Sequence, residues 1–181
     1  MGITDKHIAI LVDNYFEQAE LEGPLTFLKE HGAEVIVISS GTKDLQALEH
    51  IKKGESFMAD QLLDHADISA FDALVLPGGV VNADTLRMNR KAQEWVTDFM
   101  DKNKLIAAIC HAPWLLVSAD VVEGRRLTSY PTLQDDIINA GGEWIDQPVV
   151  IDENLITSRK PDDIPLFNQA IVEWLETAKV H

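Results

Sequence analysis

Cys110 is the only cysteine in a chain of 181 residues, and its neighbours are those of a nucleophile. The apolar run Leu105–Ile109 leads into Cys110-His111-Ala112-Pro113 and then into a second apolar stretch. Strand, Cys, His, small residue, Pro and apolar helix describe a strand-to-helix elbow, which presents the sulfur at the strand end while its base stays packed. The start of the following helix carries free N–H groups, whose partial positive charge favours thiolate. The N–H of His111 is placed to donate to an oxyanion formed on a carbon that Cys110 attacks. Pro77-Gly78-Gly79 follows another apolar run, and the freedom of glycine at positive φ lets Gly78 and Gly79 bring further backbone donors to a substrate. The alternative for Cys110 is an inert core thiol, the common fate of an unpaired cysteine; the elbow context favours the reactive reading. His111 is the leading base, because the only histidine further along the chain is the terminal His181. Its alternative is a cap or a surface histidine.

These residues need strands that end together. His7–Val12, Glu34–Ser39, Phe71–Leu76 and Leu105–Ile109 are short, β-rich apolar runs of the kind buried on both faces of a parallel sheet. Helical patterns separate them: Glu20–His31 with Pro24 inside it, Asn89–Lys102 with an apolar stripe, Ala112–Ala119 apolar all round, Thr132–Ala140, and Ile164–Ala178 with Asp162 and Asp163 as N-caps. Leu45–Leu48 and Ser56–Ala59 read as a small hairpin, and a strand near Arg126–Ser129 and a strand pair around Asp152-Glu153-Asn154 complete the count. Strand–helix alternation predicts one α/β domain over 1–181, a flavodoxin-like three-layer sandwich with a mostly parallel sheet and a nucleophile elbow. Ligands in such folds bind at the carboxyl ends of the strands. The Asn14–Glu20 loop, Pro77-Gly78-Gly79 and Cys110-His111 all fall there. Trp95, Trp114, Trp144 and Trp174 read as core.

Composition removes several function classes. With 15 Lys+Arg against 30 Asp+Glu the formal net charge is −15, which opposes binding to nucleic acid or an anionic membrane. One cysteine excludes an intramolecular disulfide and a Cys-rich zinc site. The sequence has neither a phosphate-binding glycine loop nor a metalloprotease motif, so no cofactor and no metal are expected. A first apolar run too short for a signal peptide, and no span of membrane length, predict a soluble cytoplasmic protein.

Four stretches together resemble the DJ-1/PfpI superfamily, in its bacterial and archaeal PfpI-like branch: Phe16-Glu17-Gln18-Ala19-Glu20-Leu21, Phe71–Gly79, Ala108–Pro113 and Leu127–Pro131. Asn139–Trp144 and Thr157-Ser158-Arg159 extend the likeness over nearly the whole chain. The resemblance implies Cys110 as nucleophile beside His111. It also implies an acid from the Phe-Glu-x-x-Glu loop, assigned here to Glu17, whose protonated carboxyl donates to the thiolate rather than repelling it. It further implies a homodimer in which an acid after Pro-Gly-Gly, matched by Asp84, orients the partner's histidine; the shorter acid and longer loop depart from the archaeal pattern. Ala112 stands where many relatives carry glycine. Tyr130 offers either a hydroxyl near the site or a packing surface.

Three readings of function share the activated thiol. The first is a hydrolase or lyase of reactive carbonyls, such as α-oxoaldehydes or their early adducts on protein, of the deglycase or glyoxalase III kind that the resemblance implies. The second is an intracellular cysteine peptidase of the PfpI type acting on unfolded protein. The third is a redox-responsive stress protein whose Cys110 oxidises with little turnover.

Overall fold

The computed structural model describes residues 2–178; His181 lies outside them. The first half holds β1 (His7–Val12), α1 (Gln18–Glu30), β2 (Glu34–Ser39), β3 (Asp44–Glu49), β4 (Lys52–Met58), β5 (Gln61–Leu62), β6 (Ala73–Leu76), α2 (Val80–Met88) and α3 (Arg90–Asp101). Then come β7 (Leu105–Ile109), α4 (Pro113–Ser118), β8 (Arg126–Leu127), α5 (Gln134–Asn139) and β9 (Glu143–Trp144). The chain closes with β10 (Val149–Asp152), β11 (Leu155–Ser158) and α6 (Ile164–Thr177).

A seven-stranded sheet runs in the order β10-β11-β7-β6-β1-β2-β5, parallel throughout except for β10. β6 and β7 are buried along their whole length, and β1 is buried beyond His7, as strands covered on both faces require. One layer, α1 with α6, packs Leu21, Leu28, Phe167, Ile171 and Leu175 on the sheet. The other packs Leu86, Trp95, Phe99, Leu116 and Ile137 on its back. Strand order reverses between β1 and β6, so the loops after β1, β6 and β7 meet at a switch point, where open α/β sheets take ligands.

Several local expectations change. The hairpin is longer than its apolar residues suggested, pairing β3 with β4 around His50 and Ile51. The strand before Pro77 begins at Ala73, because Asp72 is occupied in accepting the His7 N–H at 2.8 Å. A helix, α2, starts directly after Gly79; its Val80, Val81 and Met88 face outward, so no apolar stripe announced it. It stops where Asn89 caps α3, accepting from the Ala92 N–H at 3.0 Å. Neither Asp162 nor Asp163 caps α6 through its side chain. The Asp163 carboxylate is held instead by the Arg159 guanidinium and backbone N–H. α4 is not buried all round, since Trp114 and Val117 are half-exposed. Of the tryptophans only Trp95 is buried. Trp114, Trp144 and Trp174 lie half-buried, and their indole N–H groups donate to Asp136, Ser129 and the Glu153 carbonyl.

Candidate active site

Cys110 has φ +64°, the left-handed region that a residue with a Cβ occupies only under constraint, at a cost of about 1–3 kcal/mol. Two backbone hydrogen bonds impose it: the Cys110 N–H donates to the Ser158 carbonyl at 3.0 Å, and its carbonyl accepts from the Tyr130 N–H at 2.8 Å. The elbow is therefore real in its geometry. The residue is 7% exposed, so its sulfur lies in a recess.

The carboxyl at that sulfur belongs to Glu20, not to Glu17. Glu20 is fully buried in the first turn of α1 and interacts with the Cys110 side chain. Its Oε2 accepts from the Gly78 N–H at 2.8 Å, while Oε1 has no conventional hydrogen-bond partner. Burial raises its pKa to about 8, more than the Gly78 and Cys110 hydrogen bonds lower it, and nearby Glu17 adds to the rise. Near neutrality Glu20 keeps its proton and can donate. Glu17 precedes the helix in extended backbone and faces the hairpin, accepting the His50 N–H at 2.9 Å. The register of α1 distinguishes the two acids: Glu20 shares the buried face with Leu21, Pro24 and Leu28.

The glycines divide the work differently from expectation. Gly78 N–H is committed to Glu20, so it is no oxyanion donor. A Cβ at Gly78 would lie 2.6 Å from Glu20 Oε2 and 2.7 Å from Cys110 Cβ, so only glycine fits between acid and thiol. Gly79, at φ +91°, points its N–H toward the sulfur, as does the N–H of His111. Those two donors form the candidate anion pocket. Asn82, fully buried and absent from the sequence reading, pins the loops. Its Nδ2 donates to the Pro77 and Gly78 carbonyls at 3.0 and 2.9 Å, and its Oδ1 accepts from the Asp13 N–H at 2.6 Å.

His111 is buried, with Nδ1 3.1 Å from Cys110 Sγ and Nε2 3.5 Å from Thr132 Oγ1. Burial lowers its pKa. Burial pushes the thiol well above its ordinary range, against the N–H groups of Gly79 and His111, and Glu20 pushes it further once that carboxyl ionises. The recess thus opposes the free thiolate that a helix start alone suggested. Neutral thiol and neutral imidazole are the resting pair, and the sulfur loses its proton as it attacks. Tyr130 stacks its ring on His111, centroids 4.6 Å apart, which assigns it packing. Asp84 lies exposed on α2; among the described residues no hydrogen bond or ion pair joins it to His111.

A parallel α/β sheet with a cysteine at a positive-φ elbow, facing a buried acid at the topological switch, defines a cysteine-elbow protein of flavodoxin-like architecture. The DJ-1/PfpI family profile matches residues 6–174. "Protein/nucleic acid deglycase 2" of Escherichia coli is 41% identical over 172 residues, 94% of this chain and 98% of the relative. "Deglycase PfpI" of Pyrococcus furiosus is 42% identical over 169 residues, 93% of this chain and 99% of the relative. The crystal structure of Drosophila melanogaster DJ-1beta superposes with a TM-score of 0.86 at 28% identity, covering 97% of this chain and 91% of the other. The chain belongs to the DJ-1/PfpI family.

Proposed function

We propose that this protein is a cysteine-dependent hydrolase of small reactive carbonyls, an α-oxoaldehyde or its early adduct on protein, of the deglycase or glyoxalase III kind. The observation that carries the reading is the buried Glu20 carboxyl, protonated near neutrality and held by the Gly78 N–H against Cys110. A recessed thiol beside a proton donor suits a small aldehyde better than an extended peptide. Sγ bonds to the aldehyde carbon as its proton passes to His111 Nδ1. The carbonyl π electrons go to oxygen, which the N–H groups of Gly79 and His111 receive and Glu20 protonates. In the resulting hemithioacetal, the Glu20 carboxylate removes the C–H proton and His111 gives its proton to the neighbouring carbonyl oxygen. Glu20 then returns its proton to the adjacent carbon and takes up the one on the former aldehyde oxygen, giving an α-hydroxy thioester with both residues back in their starting states. Water then cleaves the C–S bond, releasing an α-hydroxy acid and the thiol. No external oxidant or reductant is required.

The relatives named deglycases support the substrate class. The same reading takes the chain as one domain acting in the cytoplasm as a homodimer, with outward-facing Val80, Val81 and Met88 of α2 beside Asp84 at the subunit contact. Among the described residues no helix is long and apolar enough to cross a membrane. The test is methylglyoxal consumption with lactate as product. Cys110→Ser is expected to lose at least about a hundredfold in rate, and equal rates in variant and wild type would remove Cys110 from the chemistry. Cleavage of unfolded casein by the wild type without aldehyde turnover would favour the peptidase instead.

A further inference from the structure

We propose that Thr132 is a positioning residue that sets the tautomer of His111, leaving Nδ1 free to take the Cys110 proton. The inference rests on Cys110 being the nucleophile and adds a residue that neither the family motifs nor the sequence reading supplied. The imidazole is held at both ring nitrogens and against two aromatic rings. Its Nδ1 lies 3.1 Å from Cys110 Sγ and its Nε2 3.5 Å from Thr132 Oγ1. Tyr130 stacks on one face with rings 23° apart, and Trp114 meets it at 67° with centroids 5.3 Å apart. A ring so clamped cannot exchange its two nitrogens between partners.

A neutral imidazole carries one proton. If Nδ1 accepts from the thiol, that proton sits on Nε2 and needs an acceptor, which the Thr132 hydroxyl provides. The turn Pro131–Leu133 that carries Thr132 follows Tyr130, whose N–H donates to the Cys110 carbonyl at 2.8 Å. Acceptor and nucleophile are therefore fixed to one short piece of backbone. A hydroxyl fits the electrostatics better than a carboxylate: it orients the ring without holding a charge on it, and burial keeps the ring neutral. A separation of 3.5 Å is long for a hydrogen bond at rest. It is expected to shorten once Nδ1 gains a proton and the Nε2–H becomes more acidic, as catalytic contacts do on approach to the transition state.

The experiment uses the full chain labelled with ¹⁵N, as wild type, Thr132→Val and Thr132→Ser. Long-range ¹H–¹⁵N correlation of the His111 ring reads the tautomer directly, and alkylation of Cys110 by iodoacetamide reads the consequence. The wild type is expected to carry its proton on Nε2. Thr132→Val should shift the population toward Nδ1–H and slow alkylation about tenfold, and Thr132→Ser should restore both. Thr132 is exposed, so the variants should fold; matching amide spectra away from the site check this. An unchanged tautomer in Thr132→Val overturns the proposal. So does a loss of reactivity that serine fails to rescue, or a tautomer that responds to Asp84→Asn and not to Thr132→Val. The spectra do not depend on turnover, so failure of carbonyl hydrolysis alone would be seen separately.

Discussion

Replacing Glu20 by glutamine exchanges a buried acid for a neutral amide of nearly the same shape, able to keep the acceptor for Gly78 N–H. The folded carboxyl ionises at about 8, against an ordinary value of 4.5. The native state therefore holds this proton more tightly than the unfolded chain does. Its contribution to stability is fully present below pH 4.5, falls as pH rises toward 8, and is gone above that. At about 1.4 kcal/mol per pH unit the full span is on the order of 5 kcal/mol. Glutamine has no proton to lose, while titrations elsewhere are common to both proteins and cancel in the difference. Urea denaturation at half-unit steps from pH 4.5 to 8.5 should show Glu20→Gln gaining on the wild type throughout, by several kcal/mol at the alkaline end. Parallel curves would mean that Glu20 titrates as an ordinary carboxyl, and the assignment of a proton donor beside the sulfur would fall.

Other perturbations test neighbouring parts of the site. Gly78→Ala puts a methyl group into a gap bounded at 2.6–2.8 Å by Glu20, Cys110 and the Ile109 carbonyl; it should cost about 1–3 kcal/mol or more in denaturant unfolding and slow Cys110 alkylation. Asn82→Leu leaves the Asp13 N–H and the Pro77 carbonyl without the Asn82 side chain, with an expected loss of about 2–4 kcal/mol in the same assay. Glu17→Gln keeps an acceptor for His50 N–H, so Cys110 alkylation should stay within about twofold of the wild-type rate; a large drop would return Glu17 to the chemistry.

The layers of this fold were legible because β6 and β7 are continuous apolar runs and α3 has a sharp apolar stripe. The elbow was legible because a cysteine between such a run and a proline-led helix has few other geometries. What escaped were features decided by tertiary context. Phe16-Glu17-Gln18-Ala19-Glu20 offers two acids, and motif position favoured the first. Only the point at which α1 begins turns the second inward. Gly78 and Gly79 look alike in sequence, yet Glu20 claims one N–H and the sulfur draws the other. Thr132 and Asn82 are ordinary polar residues until their loops fold against the sheet. The ease of ionisation expected of Cys110 followed from the helix start alone, and the depth of the recess reverses it.

Asn82 has one consequence for how this protein can change. Its single amide fastens the exit of β1 to the exit of β6 from the first turn of α2, so the segments around the sulfur move as a set or not at all. Variation that retunes what enters the recess should therefore arise outside this fastened set of loops. The inner framework would be inherited whole.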